Sequence, residues 1–148
     1  MTAAGRPRAA LLLVLLSDDP GLAAAIGAEL APLGVPVGAF RRTASAAEAR
    51  RLLAHEPGAL FVLDDALPGL AGPMLLSTLV AQGVHPARVV YLANRHAVPL
   101  ELAVRRHGVL YYTGKPPAAG VIAKLLGAAL ARARAPGRSG AALPPRPG

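Results

Sequence analysis

Residues 61–72 read FVLDDALPGLAG, and the fold turns on how they are understood. A nearly unbroken apolar run stops on two adjacent carboxylates, Asp64 and Asp65, and the turn formers Pro68, Gly69 and Gly72 follow at once. The chain carries only eight acidic residues, so two side by side at the end of such a run call for a reason. An apolar run without alternation is what a strand covered on both faces requires.

Outward from this stretch the same pattern recurs. Residues 11–16, 35–40, 60–63, 89–92 and 109–113 read as strands, with amphipathic stretches between them. Asp19 predicts an N-cap for a helix that begins at Pro20 and stops near Gly34. Ser45, with Glu48 three residues on, predicts a capping box for a helix running to about His55. Gly72 and Pro73 open a third helix that stops near Gly83, and Pro99 begins a fourth that ends at Gly108. Pro117 begins a fifth, carrying Val121, Ile122, Leu125, Leu126 and Leu130 at helical spacing.

Five strand–helix units in strict alternation imply a doubly wound α/β domain: a five-stranded parallel sheet with helices on both faces, because right-handed crossovers permit little else. The domain is placed at residues 10–134, between a flexible tail at 1–9 and a disordered Pro/Gly/Arg-rich tail at 135–148.

Composition narrows the function classes. The net charge of +8 would suggest nucleic acid, but six of the sixteen basic residues (Arg6, Arg8, Arg132, Arg134, Arg138 and Arg146) lie at the two ends. That leaves ten against eight acids in a nearly neutral body without basic clusters interleaved with aromatics, so no nucleic-acid surface is expected. The absence of cysteine excludes disulfides and thiolate zinc sites. Arg6, Arg8 and the apolar run after them resemble the start of a signal peptide, but the run is short and ends on Ser17, Asp18 and Asp19. No stretch approaches the ~20 apolar residues that span a bilayer. A cytoplasmic protein without membrane partners is expected.

In a doubly wound sheet the functional crevice lies beyond the carboxyl ends of the strands. Asp18 and Asp19 end the first strand, Asp64 and Asp65 end the third, and Lys115 follows the fifth. Carboxylates gathered there cannot all stay ionised without a compensating cation. An oxygen-only set suits a hard ion, Mg²⁺ before Zn²⁺. Taken pair by pair, these aspartates are equally well helix caps and turn residues.

The combination LLLVLLSDDP, LFVLDDALPGLAG and GVLYYTGKPP resembles the receiver domain of two-component response regulators. In that family an acidic pair ends the first strand, an aspartate lies four residues before a Pro-Gly turn, and a lysine precedes a proline. Asp18 and Asp19 match the pair, Asp64 matches the aspartate by its distance from Pro68, and Lys115 matches the lysine by its distance from Gly108. The resemblance covers roughly residues 10–131 and implies a flavodoxin-like strand order, 2-1-3-4-5.

It further implies that Asp64 accepts a phosphoryl group from a histidine kinase or phosphotransfer protein. Asp18 or Asp19, with Asp64 and the carbonyl of Ala66, would hold Mg²⁺, and Lys115 would contact the phosphoryl oxygens. Tyr112 falls at the family's aromatic switch position, although an ordinary half-buried strand aromatic fits that place equally. Where the family carries Thr or Ser after the fourth strand, this chain has Ala93, with Asn94 next to it as the polar substitute if the register moves by one. Asp65 is expected to point away from Asp64 and to have no role. His55, His85, His96 and His107 lie far apart at helix ends or in loops and read as solvated; Arg105 and Arg106 beside Tyr111 and Tyr112 form either a partner-binding face or a solvated helix end.

The leading expectation is thus a phosphoacceptor receiver rather than an enzyme, acting through protein contacts, with a homodimer left open. The alternative is a receiver-like binding module without phosphorylation, favoured by Ala93. A Mg²⁺-dependent phosphohydrolase ranks third, because SDDPG lacks the Asp-x-Asp such enzymes place after the first strand.

Overall fold

The computed structural model describes residues 11–67 and 72–134. The expected tails at 1–9 and 135–148 and the turn at Pro68 and Gly69 lie outside the described residues. Five strands form one sheet: β1 (Leu13–Leu16), β2 (Phe40–Thr43), β3 (Leu60–Asp64), β4 (Val89–Ala93) and β5 (Tyr111–Gly114). All four pairings are parallel and the order is β2-β1-β3-β4-β5, the expected flavodoxin-like winding.

Five helices complete the layers: α1 (Pro20–Leu30), α2 (Ala46–His55), α3 (Gly72–Ala81), α4 (Val98–Arg105) and α5 (Val121–Arg134). The alternation of strand side chains divides the core. Leu13, Leu15, Leu60, Val62, Val90 and Leu92 pack with Leu22 and Ile26 of α1 and with Ile122 and Leu126 of α5. Val14, Leu16, Phe61, Leu63, Val89 and Tyr91 face the other way and meet α2, α3 and α4. Every residue of β1, β3 and β4 is buried, which is why those segments read as unbroken apolar runs.

The second strand departs from expectation. Residues 35–40 had the more apolar pattern, yet a 3₁₀ turn occupies Val37–Ala39 and the strand is Phe40–Thr43, with Arg41 and Arg42 exposed. This strand pairs with β1 alone and so lies at the sheet edge, where one side is open and arginines are tolerated. The Ser45 cap is also only half of the expected box. Ser45 Oγ accepts from Glu48 N–H at 3.1 Å, but the Glu48 carboxylate turns to the Thr43 hydroxyl at 2.5 Å, and Ser45 N–H donates to Thr43 Oγ1 at 3.0 Å. The fifth helix begins at Val121 rather than Pro117, after Gly120 with φ of 87°.

Candidate functional site

The register builds the site. Leu16 of β1 is level with Leu63 of β3, so the next residues, Ser17 and Asp64, stand side by side on the α1/α5 face of the sheet. Both are fully buried. Ser17 Oγ donates to Asp64 Oδ2 at 2.6 Å, and Lys115 Nζ donates to the same oxygen at 3.0 Å. The other oxygen, Oδ1, accepts from Ala66 N–H at 2.9 Å. A buried carboxylate needs such compensation, and here both oxygens have it.

Lys115 is brought to this point by β5. Ala93 and Gly114 are level across β4 and β5, and Lys115 N–H donates to Ala93 O at 2.9 Å, fixing the backbone from which the side chain reaches back over the strand ends. Its ammonium also lies 3.1 Å from Asp19 Oδ2. Burial opposes the charge on Lys115, but the hydrogen bonds with Asp64 and Asp19 outweigh it and hold the ammonium above the usual lysine value. The same contact, together with the N–H groups of Leu22 and Gly21, holds the Asp19 carboxyl below its usual value.

The expected site residues divide accordingly. Asp64, Asp19 and Lys115 converge. Asp19 is at the same time the N-cap of α1, its Oδ1 accepting from Gly21 N–H at 2.9 Å and Leu22 N–H at 3.2 Å. Asp18 is exposed at the rim. Ala66 contributes its N–H to Asp64, and Ala93 is buried at the end of β4, presenting no hydroxyl. Asn94 is exposed, and its contact in the site region is made by its backbone N–H. Ser17 was not anticipated, although counting in twos along 13, 15 and 17 assigns it to the face that Asp64 shares.

Among the described residues no three acidic or imidazole side chains converge as a metal cluster. Asp64, Asp19 and Ser17 present oxygen donors only, a set that fits a hard cation in kind.

Asp65 does more than the sequence suggests. It points to the opposite face from Asp64, as expected, but there its Oδ1 accepts from Asn94 N–H at 2.6 Å and its Oδ2 from the Tyr91 hydroxyl at 2.9 Å. Burial and the neighbouring Asp65 carboxylate push the Tyr91 phenol far above its usual value. Tyr112 is buried, its ring stacked on Tyr91 with centroids 5.8 Å apart, and its hydroxyl lies 2.9 Å from His96 Nδ1. His96 is therefore engaged rather than merely solvated. The other three histidines serve local structure: His55 meets Arg51 O, His85 caps the turn before β4, and His107 lies 3.2 Å from Ser77 Oγ. Arg105 pairs with Glu101 at 2.7 Å and lies over the Tyr112 ring.

The five-stranded parallel sheet wound 2-1-3-4-5 has counterparts among solved structures. The chain has the receiver-domain fold. The receiver domain of the TMAO respiratory system response regulator TorR is 22% identical over 81% of this chain and 96% of that one, with a TM-score of 0.64. The receiver domain of sensor histidine kinase PA1611 from Pseudomonas aeruginosa, solved with a magnesium ion in its active-site cleft, is 20% identical over 83% of this chain and 99% of that one, with a TM-score of 0.63. The BeF3-activated receiver domain of RstA from Klebsiella pneumoniae is 26% identical over 76% of this chain and 93% of that one, with a TM-score of 0.60. No protein-family model matches the sequence, and no curated protein does. Among the described residues no helix is long and apolar enough to cross a membrane.

Proposed function

We propose that this receiver fold serves two-component signalling by accepting a phosphoryl group on Asp64 from a phosphohistidine of a histidine kinase or phosphotransfer protein. The observation that carries the reading is the Lys115–Asp64 contact at 3.0 Å, which puts a tethered positive charge beside a strand-end carboxylate. In the reaction an Asp64 oxygen attacks phosphorus, the P–O bond forms as the P–N bond breaks, and the departing imidazole keeps a proton. Such transfer requires positioning and charge neutralisation more than covalent help from the protein. Lys115 would exchange its bond with Asp64 for one with a phosphoryl oxygen.

Mg²⁺ is the ion this reading calls for. Asp64, Asp18 or Asp19 and the Ala66 carbonyl would hold it. Its contribution when bound is neutralisation of the phosphoryl charge. Signalling would then proceed through protein contacts in the cytoplasm.

A second reading, a receiver-like binding module without phosphorylation, is favoured by the buried Ala93, which offers no hydroxyl, and by the full set of donors already on Asp64. Incubation with Mg²⁺ and acetyl phosphate separates the two. A mass gain of one phosphoryl group that is lost in Asp64→Asn is expected. An unchanged wild-type mass would overturn the acceptor reading in favour of the binding module.

A further inference from the structure

The structure joins the Asp64 crevice to α4 by a route that does not use the end of β4. Ala93, the last residue of β4, is buried and has no polar side-chain atom. Asp65, covalently next to Asp64, takes hold of the loop after β4 instead. One of its oxygens receives Asn94 N–H at 2.6 Å and the other receives the Tyr91 hydroxyl at 2.9 Å.

Tyr91 is fully buried, and its ring is nearly parallel to that of Tyr112, at 12°. From Tyr112 the contacts continue outward. Its hydroxyl meets His96 Nδ1 at 2.9 Å, His96 Nε2 lies 3.9 Å from Glu101 Oε1 on α4, and Glu101 Oε2 receives Arg105 Nε at 2.7 Å. The inner links, from Asp65 to Tyr91 and Tyr112, lie in or at the edge of the core, and the outer ones, through His96, Glu101 and Arg105, run along the surface.

We propose that Asp65 and Tyr91 are positioning residues that couple occupation of Asp64 to the loop at Asn94–Ala97 and to α4. The proposal rests on the phosphoacceptor reading for the event that is transmitted. The physical basis is the shared backbone: Asp64 and Asp65 are consecutive and point to opposite faces, so a rearrangement that accommodates a group on Asp64 moves the acceptor on which Asn94 and Tyr91 depend. A buried tyrosine hydroxyl and a bond to a carboxylate cannot be given up without cost, so the loop and the ring follow. The closely packed stack then carries the displacement to Tyr112 and His96.

The test is NMR of the full chain with Mg²⁺ and beryllium trifluoride, a phosphoryl mimic. In the wild type, shifts are expected at Leu63 and Ala66 beside Asp64, at the Asn94 amide, at the His96 ring nitrogens and along α4. Tyr91→Phe, which removes only the hydroxyl, should keep the shifts beside Asp64 and lose those at His96 and Glu101. Tyr112→Phe should lose the His96 response and keep that of Asn94, which excludes general unfolding as the cause. Retention of every shift in Tyr91→Phe would overturn the coupling. If beryllium trifluoride leaves the wild-type residues beside Asp64 unshifted, the acceptor reading fails, and the ligand-free spectra decide the linkage: the His96 ring and Asn94 amide must differ between wild type and Tyr91→Phe, and identical positions would overturn it.

Discussion

Ser17 Oγ lies 2.6 Å from Asp64 Oδ2, and neither residue has any exposed surface. The serine hydroxyl also accepts from Asp19 N–H at 3.0 Å, so one small side chain ties the end of β1 to the Asp64 carboxylate and to the backbone of Asp19. Ser17→Ala removes a donor to a buried charged group, and a bond of that kind contributes about 1.5–3 kcal/mol. A fall in the urea midpoint with an unchanged m-value is expected. An unchanged midpoint would mean that Lys115 and the Ala66 N–H satisfy Asp64 without help.

Lys115 answers the charge of Asp64 from a side chain that is only 15% exposed. Lys115→Met keeps most of the volume and removes the ammonium, leaving Asp64 buried without its cation; breaking a buried pair in this way costs about 3–5 kcal/mol, toward the lower end where, as here, one partner retains some contact with water. Asp64→Asn in the same chain should restore part of the loss, because the uncompensated charge is gone. A double-mutant cycle by denaturant unfolding measures this coupling, and strictly additive effects would refute it.

The pH dependence of stability follows from Asp19 and Lys115. The Asp19 carboxyl lies below its ordinary 3.8 in the folded protein, so its contribution is present above 3.8 and is lost as pH falls through the lowered folded value. The Lys115 ammonium lies above its ordinary 10.5, so its contribution is complete below 10.5 and is lost as pH rises through the raised folded value. Asp19→Asn keeps a side chain able to cap α1 and removes the charge facing Lys115. The stability gap between wild type and Asp19→Asn should hold steady between these limits and shrink below pH 3.8, as read from urea melts across pH. A gap that persists undiminished under acid would show that the cap geometry, not the ion pair, sets the difference.

The legible parts of this fold were those in which one physical demand controlled the residue choice. Strands β1, β3 and β4 are buried on both faces and so are continuously apolar. Asp64 and Lys115 stand out in the sequence because they fall at strand ends, where a doubly wound sheet places its crevice, and because their spacing resembles that of receiver domains. The edge strand was misplaced since Arg41 and Arg42, open to solvent, carry no burial signal. Ser17 and Asp65 were missed for a different reason: their roles depend on which residue of a neighbouring strand is level with them, and register is a property of the paired sheet rather than of either segment.

Gly72 offers the sharpest check on the packing around Asp65. It opens α3 and is buried, and a methyl group placed on it would overlap the Tyr91 hydroxyl and come within 2.5 Å of Asp65 Cβ. Alanine normally favours a helix over glycine by up to about 1 kcal/mol, so open space here would make Gly72→Ala neutral or stabilising. Overpacking typically costs about 1–3 kcal/mol, and one of the atoms in the way is a Cβ fixed to the backbone, which cannot swing aside. Net destabilisation is therefore expected in thermal or urea unfolding. Tyr91→Phe in the Gly72→Ala background should recover part of the loss by removing the hydroxyl, while the approach to Asp65 Cβ remains. A Gly72→Ala protein as stable as the wild type would show that β3, β4 and α3 do not meet as closely as the Tyr91–Asp65 bond requires.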